Sequence, residues 1–485
     1  MKATEIMMKK HASFALAAAL ACSAAMPAAA FAKTSSSDVD DATQVITGLA
    51  AGDTVTAYQI VDTDIDSTNS LVYSLISGLP EAYDSVDEIA AADGANVAKA
   101  ISAAAAQNAT KTVQATSDAS GSATLALDSG YWMAIVTSTS GNTVVYQPML
   151  INATPDADGL SYAARTLADA AVKKENVTAP DKKIIAANGA SSAATDSYSV
   201  GDTAKFEVSA AIPSYPADAT NRVYKITDTP EAGLAIDKSS IVVKGAGAKL
   251  SPGTDYVLSD NGSGYVVSFT DSYIKNNPGT AVTVSCSALV ESVGKVTGKV
   301  GNTVYGTFNP NPYEQATVDT GTSSASAGTY GFTFKKLAAD TGNALEGAEF
   351  TIKNAAGQAV SYMDVQGVLH NDGIVSSDAN GYVYVNGLKE GTYTVSETRV
   401  PAGYQKIKDF TVTLSADAAT GDSVATDSIV ETNFASVSDQ TDAKAALLPV
   451  TGEMGTFVLV AGGIALIAFG ATMMSSSRNR AKKDE

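Results

Sequence analysis

Short runs in which apolar and polar residues alternate, such as Tyr265-Val266-Val267-Ser268-Phe269, recur along most of the chain and are bounded by Gly, Asn and Asp. A period of two places every second side chain on one face of a pleated strand, and turn residues every few positions send the chain back across its own sheet. Val, Thr, Ser, Ala and Gly dominate these segments. The pattern predicts an all-β protein built of tandem immunoglobulin-like β-sandwich domains. One stretch departs from it. Ser85 to Gln107 is rich in Ala, Val and Ile and lacks Pro, which predicts a helix packed on the first domain's sheet.

The composition removes several functions. The sequence holds 32 Lys and Arg against 51 Asp and Glu, a formal net charge of −19 that disfavours nucleic acid as a partner. Of its cysteines, Cys22 lies in an N-terminal apolar stretch and Cys286 is left without a partner, so no internal disulfide is expected. Apart from His11 near the N-terminus, His370 is the only histidine, and no Cys/His spacing fits a metal. No cofactor or metal is expected. Without a Gly-x-Ser-x-Gly elbow, and with His370 the one histidine outside the N-terminal segment, an enzyme is not expected either.

Both ends carry addressing signals. Lys2, Lys9 and Lys10 precede an apolar stretch from Ala12 to Ala25 and then Ala30-Phe31-Ala32, the layout of a secretory signal peptide cleaved after Ala32. At the other end, Leu448-Pro449-Val450-Thr451-Gly452 is followed by an apolar run from Phe457 to Met474 and by Arg478, Arg480, Lys482 and Lys483. Motif, span and basic tail in this order resemble the LPxTG sorting signal of Gram-positive surface proteins. The resemblance implies that a sortase transpeptidase cuts between Thr451 and Gly452 and joins the Thr451 acyl group to peptidoglycan or to another subunit. The span and tail would hold the peptide at the membrane while a Cys nucleophile of the enzyme attacks the Thr carbonyl.

Composition divides the chain into a signal peptide (1–32), a first domain (33–173), a second (174–312), a Ser/Thr/Gly/Ala-rich linker (313–329), a third domain (330–437), a polar linker (438–447) and the sorting signal (448–485).

The third domain carries Phe332-Thr333-Phe334-Lys335-Lys336-Leu337, then Leu345-Glu346-Gly347-Ala348-Glu349-Phe350, Tyr393-Thr394-Val395-Ser396-Glu397-Thr398 and Pro401-Ala402-Gly403-Tyr404. These resemble the Cna protein B-type domain of Gram-positive adhesins and pilins, including the stretch called the E box. In that family a Lys of the first strand condenses with an Asn of the last while a buried Glu assists. The matching residues are Lys336, Asn433 and Glu397, with Lys335 the alternative one position along. An amine attacks an amide only when neutral, and burial in an apolar core disfavours the charged forms of amines and carboxylic acids alike.

In the second domain, Pro180-Asp181-Lys182-Lys183-Ile184, Tyr224-Lys225-Ile226-Thr227-Asp228-Thr229 and Gly301-Asn302-Thr303-Val304-Tyr305 resemble the fimbrial isopeptide formation D2 domain of pilins, which is Cna A-like. The resemblance implies a bond from Lys182 to Asn302 assisted by Asp228. Lys183 competes for the first role. Where the family closes with Tyr-Ser-Asn-x-Pro, this chain has Phe308-Asn309-Pro310-Asn311-Pro312, which leaves Asn309 and Asn311 as alternatives to Asn302.

The first domain, with Gly52-Asp53-Thr54-Val55-Thr56-Ala57-Tyr58 and Val145-Tyr146-Gln147-Pro148, looks like the N-terminal domain of backbone pilins. Such pilins offer a lysine in a Tyr-Pro-Lys context to the acyl group of the next subunit. Here the corresponding place reads Ala171-Val172-Lys173-Lys174, without Tyr or Pro, and either Lys174 or Lys173 would be the acceptor.

The expected function is therefore a structural subunit of a sortase-assembled pilus at the cell surface of a Gram-positive bacterium, serving in adhesion. Its expected partners are sortases, neighbouring subunits, peptidoglycan and a host ligand, with the membrane engaged only before sorting. The alternative is a monomeric wall-anchored adhesin for a host protein or glycan.

Overall fold

The computed structural model describes residues 42–66, 70–138, 143–154, 165–186, 189, 192–293, 298–416, 423–424, 429–430 and 433–445. The signal site at Ala32, the motif Leu448–Gly452 and the apolar run 457–474 lie outside these residues. Among the described residues, no helix is long and apolar enough to cross a membrane. Two compact units divide between Thr329 and Tyr330.

The first unit opens with a two-sheet domain. Ala42–Thr47 pairs antiparallel with Ala123–Leu127 and parallel with the short strands Arg165–Thr166 and Ala170–Ala171. A second sheet runs in the order Leu71–Leu75, Thr54–Ile65, Gly130–Thr137, Met149–Asn152, and Thr112–Thr116 also pairs with Thr54–Ile65. Trp132, Leu125, Val55 and Ile46 are completely buried in the core between them.

The single helix expected over Ser85–Gln107 is two helices, Val86–Ala91 and Gly94–Asn108. Asp93 ends the first by starting the second: its carboxylate accepts from the backbone N–H groups of Ala95 and Asn96. An Asp cap beside a Gly, the poorest helix former but Pro, makes a restart cheaper than continuation. Val97, Ile101 and Ala105 of the longer helix pack on Ile60 and Met133.

Three of the expected boundaries are corrected. Lys174–Asn176 pairs with Val144–Tyr146, so the first domain runs past residue 173. Residues 313–329 are not a linker: Val318–Gly328 is a strand laddered along Lys299–Phe308. Its Ser, Thr, Gly and Ala content suits a close-packed strand whose Ala325 and Ala327 are buried. The stretch 438–447 likewise contains the strand Gln440–Asp442, which pairs parallel with Lys336–Ala338, so the third domain extends beyond residue 437.

The second domain is a sandwich of two six-stranded sheets. One runs Ser192–Ala193, Asp181–Ile185, Thr203–Ala211, Ala281–Val290, Leu234–Gly245, Ala248–Lys249; the other runs Thr195–Ser197, Val318–Gly328, Lys299–Phe308, Tyr224–Pro230, Gly264–Phe269, Tyr256–Asn261. Strict alternation is visible in Ala281–Val290, where residues 282, 284, 286, 288 and 290 face the core.

The second unit packs a sheet containing Tyr362–Met363, Tyr382–Leu388, Tyr330–Ala338 and Phe434–Ser436 against a sheet of Ile374–Ser376, Glu349–Lys353, Gly391–Arg399 and Phe410–Leu414. Phe332, Phe334 and Phe350 centre its core. Each such side chain contributes about 1.5–3 kcal/mol of burial free energy.

Candidate cross-linking sites

Alternation decides which of two adjacent lysines enters each core. In Asp181–Ile185 the inward positions are 182 and 184, and Lys182 lies opposite Val208, itself buried. Lys182 is 1 % exposed, whereas Lys183 points outward and pairs with Asp181 at 3.2 Å. In Tyr330–Ala338, Lys336 is fully buried, and Lys335 instead lays its ammonium over the Tyr382 ring at 4.6 Å.

The same rule assembles the second-domain cluster. Asp228 faces inward from Tyr224–Pro230 and Asn302 from Lys299–Phe308, both with no exposure. Because Asp228 pairs with Val304 and Pro230 with Asn302, Asp228 and Asn302 are diagonal neighbours on one face. The Lys182 amine is in direct contact with Asp228 Oδ2 and stands 5.3 Å from the centre of the Phe206 ring. Neither amide atom of Asn302 has a hydrogen-bond partner among the described residues.

Burying an amide unpaired costs about 1–3 kcal/mol for each group, and an ammonium–carboxylate pair removed from water costs several more unless a proton moves to leave two neutral groups. A buried amine in contact with a buried carboxyl, on the face that also carries an unengaged amide, brings together the three groups that an amide condensation uses.

Asn309 and Asn311 are occupied elsewhere. Asn309 Nδ2 donates to the carbonyls of Asn221 (2.9 Å) and Glu314 (2.8 Å), while its Oδ1 accepts from the backbone of Asn311. Asn311 Nδ2 donates to Thr137 Oγ1 of the first domain at 2.8 Å. Nearby, Asp218 accepts from the Tyr313 hydroxyl at 2.8 Å and from the Ala103 N–H at 3.2 Å. Asn311 thus belongs to the seam between the first two domains, and Asn309 to a hydrogen-bond network within the second.

In the third domain Lys336 lies against Asp442 rather than beside the expected Asn433. Its amine is in direct contact with Asp442 Oδ1, and Glu397 Oε1 lies 3.2 Å away. Asp442 and Glu397 have no exposure. The Glu397 carboxyl is held from its other side, where Oε2 accepts from the Ile407 N–H at 2.9 Å. Asn433 adjoins the start of the first strand, its carbonyl accepting from Gly331 and its Nδ2 lying 3.4 Å from Asn386 Oδ1. Phe434 pairs with Gly331 and Gln440 with Lys336, so Asn433 stands about six residues, roughly 20 Å, back along the strand from Lys336.

Asp442 was missed because it sits in a polar stretch with no local pattern. Only its parallel register with Lys336–Ala338 reveals it.

Lys174 and Lys173 are both exposed. Lys174 Nζ donates to the Gly48 carbonyl at 2.8 Å, which holds the amine at the surface of the first domain. Among the described residues, no group of His, Cys, Asp and Glu is placed to hold a metal ion.

Residues 331–428 match the model of the SpaA prealbumin-like fold domain. Over 390 residues, 71% of this chain and 69% of the relative, the sequence is 26% identical to fimbrial subunit type 2 of Actinomyces naeslundii. The T6 backbone pilin of serotype M6 Streptococcus pyogenes superposes with a TM-score of 0.64 at 17% identity, covering 85% of this chain and 100% of that one. The full-length major pilin SpaD of Corynebacterium diphtheriae gives 0.54 at 15% identity, covering 84% and 98%. In sequence the chain is similar over most of its length to a fimbrial subunit, and in fold it is an array of β-sandwich domains of the kind that builds Gram-positive backbone pilins.

Proposed function

We propose that the protein is the backbone subunit of a sortase-assembled, wall-anchored pilus whose second and third domains close themselves with internal amide bonds. The observation that carries this reading is a pair of lysine amines, Lys182 and Lys336, each fully buried against carboxyl groups at the first strand of its domain. A shaft subunit must transmit tension, and a covalent bond between early and late strands lets force bypass the hydrogen-bonded ladders between them.

In the second domain the Lys182 amine attacks the Asn302 amide with Asp228 as proton carrier, and ammonia leaves. In the third domain the acceptor is the Asp442 carboxyl, Glu397 moves the proton, and water leaves. Both are single events in the life of the molecule.

Sortase then joins Thr451 of one subunit to a lysine of its neighbour, for which Lys174 or Lys173 is the acceptor, and finally to peptidoglycan. Adhesion to a host surface is the use to which such a fibre is put.

The intact mass of the chain from Lys33 to Thr451 tests the cross-links. The expected deficit is one ammonia, about 17 Da, plus one water, about 18 Da. An unshifted mass would remove both bonds. Incubation with sortase tests polymerisation: a ladder lost when Lys173 and Lys174 are both changed to Ala supports the fibre, and a wild-type chain that never forms a ladder supports the monomeric adhesin.

A further inference from the structure

The two clusters differ in how the assisting acid is held. Glu397 has one oxygen on the Lys336 side and the other fixed by the Ile407 N–H. Asp228 has Oδ2 against the Lys182 amine, but its Oδ1, with no exposure, meets no hydrogen-bond partner among the described residues. Directly across the ladder from Asp228, on Gly264–Phe269, stands Tyr265, which is 1 % exposed and faces the same core. Its hydroxyl donates to Cys286 Sγ, at 3.8 Å, the weakest kind of acceptor a protein offers, and feels the Asp228 carboxyl as a neighbour without making a full hydrogen bond to Oδ1. A buried donor with a poor acceptor thus faces a buried acceptor with no donor, on paired residues of adjacent strands. Interiors rarely leave both unmet.

We propose that the Tyr265 hydroxyl is the positioning group of the second-domain site, donating to Asp228 Oδ1 as the condensation proceeds and so doing for Asp228 what the Ile407 N–H does for Glu397. The inference rests on the cross-linking reading above. Burial, followed by the charge of Asp228, raises the pKa of the Tyr265 hydroxyl well above its ordinary value, so the hydroxyl keeps its proton and can donate it in a hydrogen bond at neutral pH. Burial and then Asp228 likewise push the Cys286 thiol up to about 11, which keeps it protonated and leaves it no part as a base or nucleophile.

In the step itself, the bond from Lys182 Nζ to Asn302 Cγ forms and the Asn302 Cγ–Nδ2 bond breaks. The proton shed by Nζ passes through the Asp228 carboxyl to Nδ2, which departs as ammonia. A carboxyl that both accepts and returns a proton must keep one oxygen at the amine and turn the other little, and a fixed donor on Oδ1 enforces that.

The test follows cross-linking in time by intact mass after cell-free synthesis of the full chain, across pH. Tyr265→Phe should slow the loss of about 17 Da by roughly tenfold or more and change the pH profile of its rate, while the third-domain loss of water proceeds at the wild-type rate. Cys286→Ala should react as wild type does. In a Lys182→Ala background, where no bond can form, Tyr265→Phe should leave the unfolding midpoint within a few degrees. A Tyr265→Phe chain that reacts at the wild-type rate overturns the proposal and leaves the cross-link standing. Equal slowing in Cys286→Ala, or loss of fold in the Lys182→Ala background, would make the effect one of packing and would also overturn it. A wild-type chain with no deficit at this site removes the cross-linking reading, and the proposal with it.

Discussion

Changing Lys336 to Ala should convert the third domain from inextensible to extensible. Lys336 and Asp442 are 106 residues apart in sequence, yet they lie on neighbouring parallel strands, with Gln440 opposite Lys336. Strand neighbours are about 5 Å apart, so almost none of the contour between the two residues is spanned in the folded state. At about 3.5 Å per residue, releasing the segment adds roughly 370 Å. With the amide in place, tension applied on either side of the domain passes from Asp442 straight to Lys336 and that length never appears. Single-molecule stretching should show no such step in the wild type and one step of this size in Lys336→Ala.

Equilibrium stability should move with it. Removing the closure of a loop of this length costs about 4.7 kcal/mol on the chain-entropy scale used for cross-links, on the order of 20–30 °C in the midpoint of so small a domain. A wild-type domain that extends by the full length would refute the covalent closure. If Asn433→Ala released the segment while Asp442→Ala did not, the partner assignment would be wrong.

Further predictions concern the same chemistry and the seam between the first two domains. Asp442→Ala should abolish the loss of about 18 Da and Asn433→Ala should preserve it, as read by intact mass. Asp228→Ala and Glu397→Ala should each leave the lysine of their own domain unreacted, detectable as a peptide pair that separates after proteolysis. Asp218 at the seam has its carboxyl pKa raised, first by burial and against the Tyr313 hydrogen bond. The folded state therefore holds that proton more tightly than the unfolded state, and the contribution is full below the ordinary carboxylate range and is lost as pH rises through the folded value. Denaturant titrations of wild type against Asp218→Asn should show a stability difference that changes in that direction between acid and neutral pH, and a difference constant with pH would refute it.

The class of fold was legible because a period of two is a local property: Ala281–Val290 shows it in sequence and buries every second residue in space. The inward lysines were half legible. Alternation says that Lys182 and Lys183 face opposite ways, but which way is inward depends on the pairing of Asp181–Ile185 with Thr203–Ala211. The helix break at Asp93 was written in a cap and a glycine. Segments made of small polar residues misled, because Ser, Thr and Gly serve linkers and close-packed strands equally, and only a neighbouring ladder such as Lys299–Phe308 distinguishes them.

The neighbour of Lys336 shows where sequence stops. Asn433 and Asp442 are both polar, both near the end of the domain and both compatible with a last strand. The break between Phe434–Ser436 and Gln440–Asp442 absorbs one extra residue and sets the second piece back by one position, so that Asp442 pairs with Ala338 and lies diagonal to Lys336 on the same face. Alternation, capping and the apolar run are set by neighbours along the chain, so the sequence alone determined strands, helix signals and the presence of paired lysines. Register between strands a hundred residues apart is set by the total packing of two sheets, and only the tertiary structure decided which carboxyl or amide each buried amine would meet.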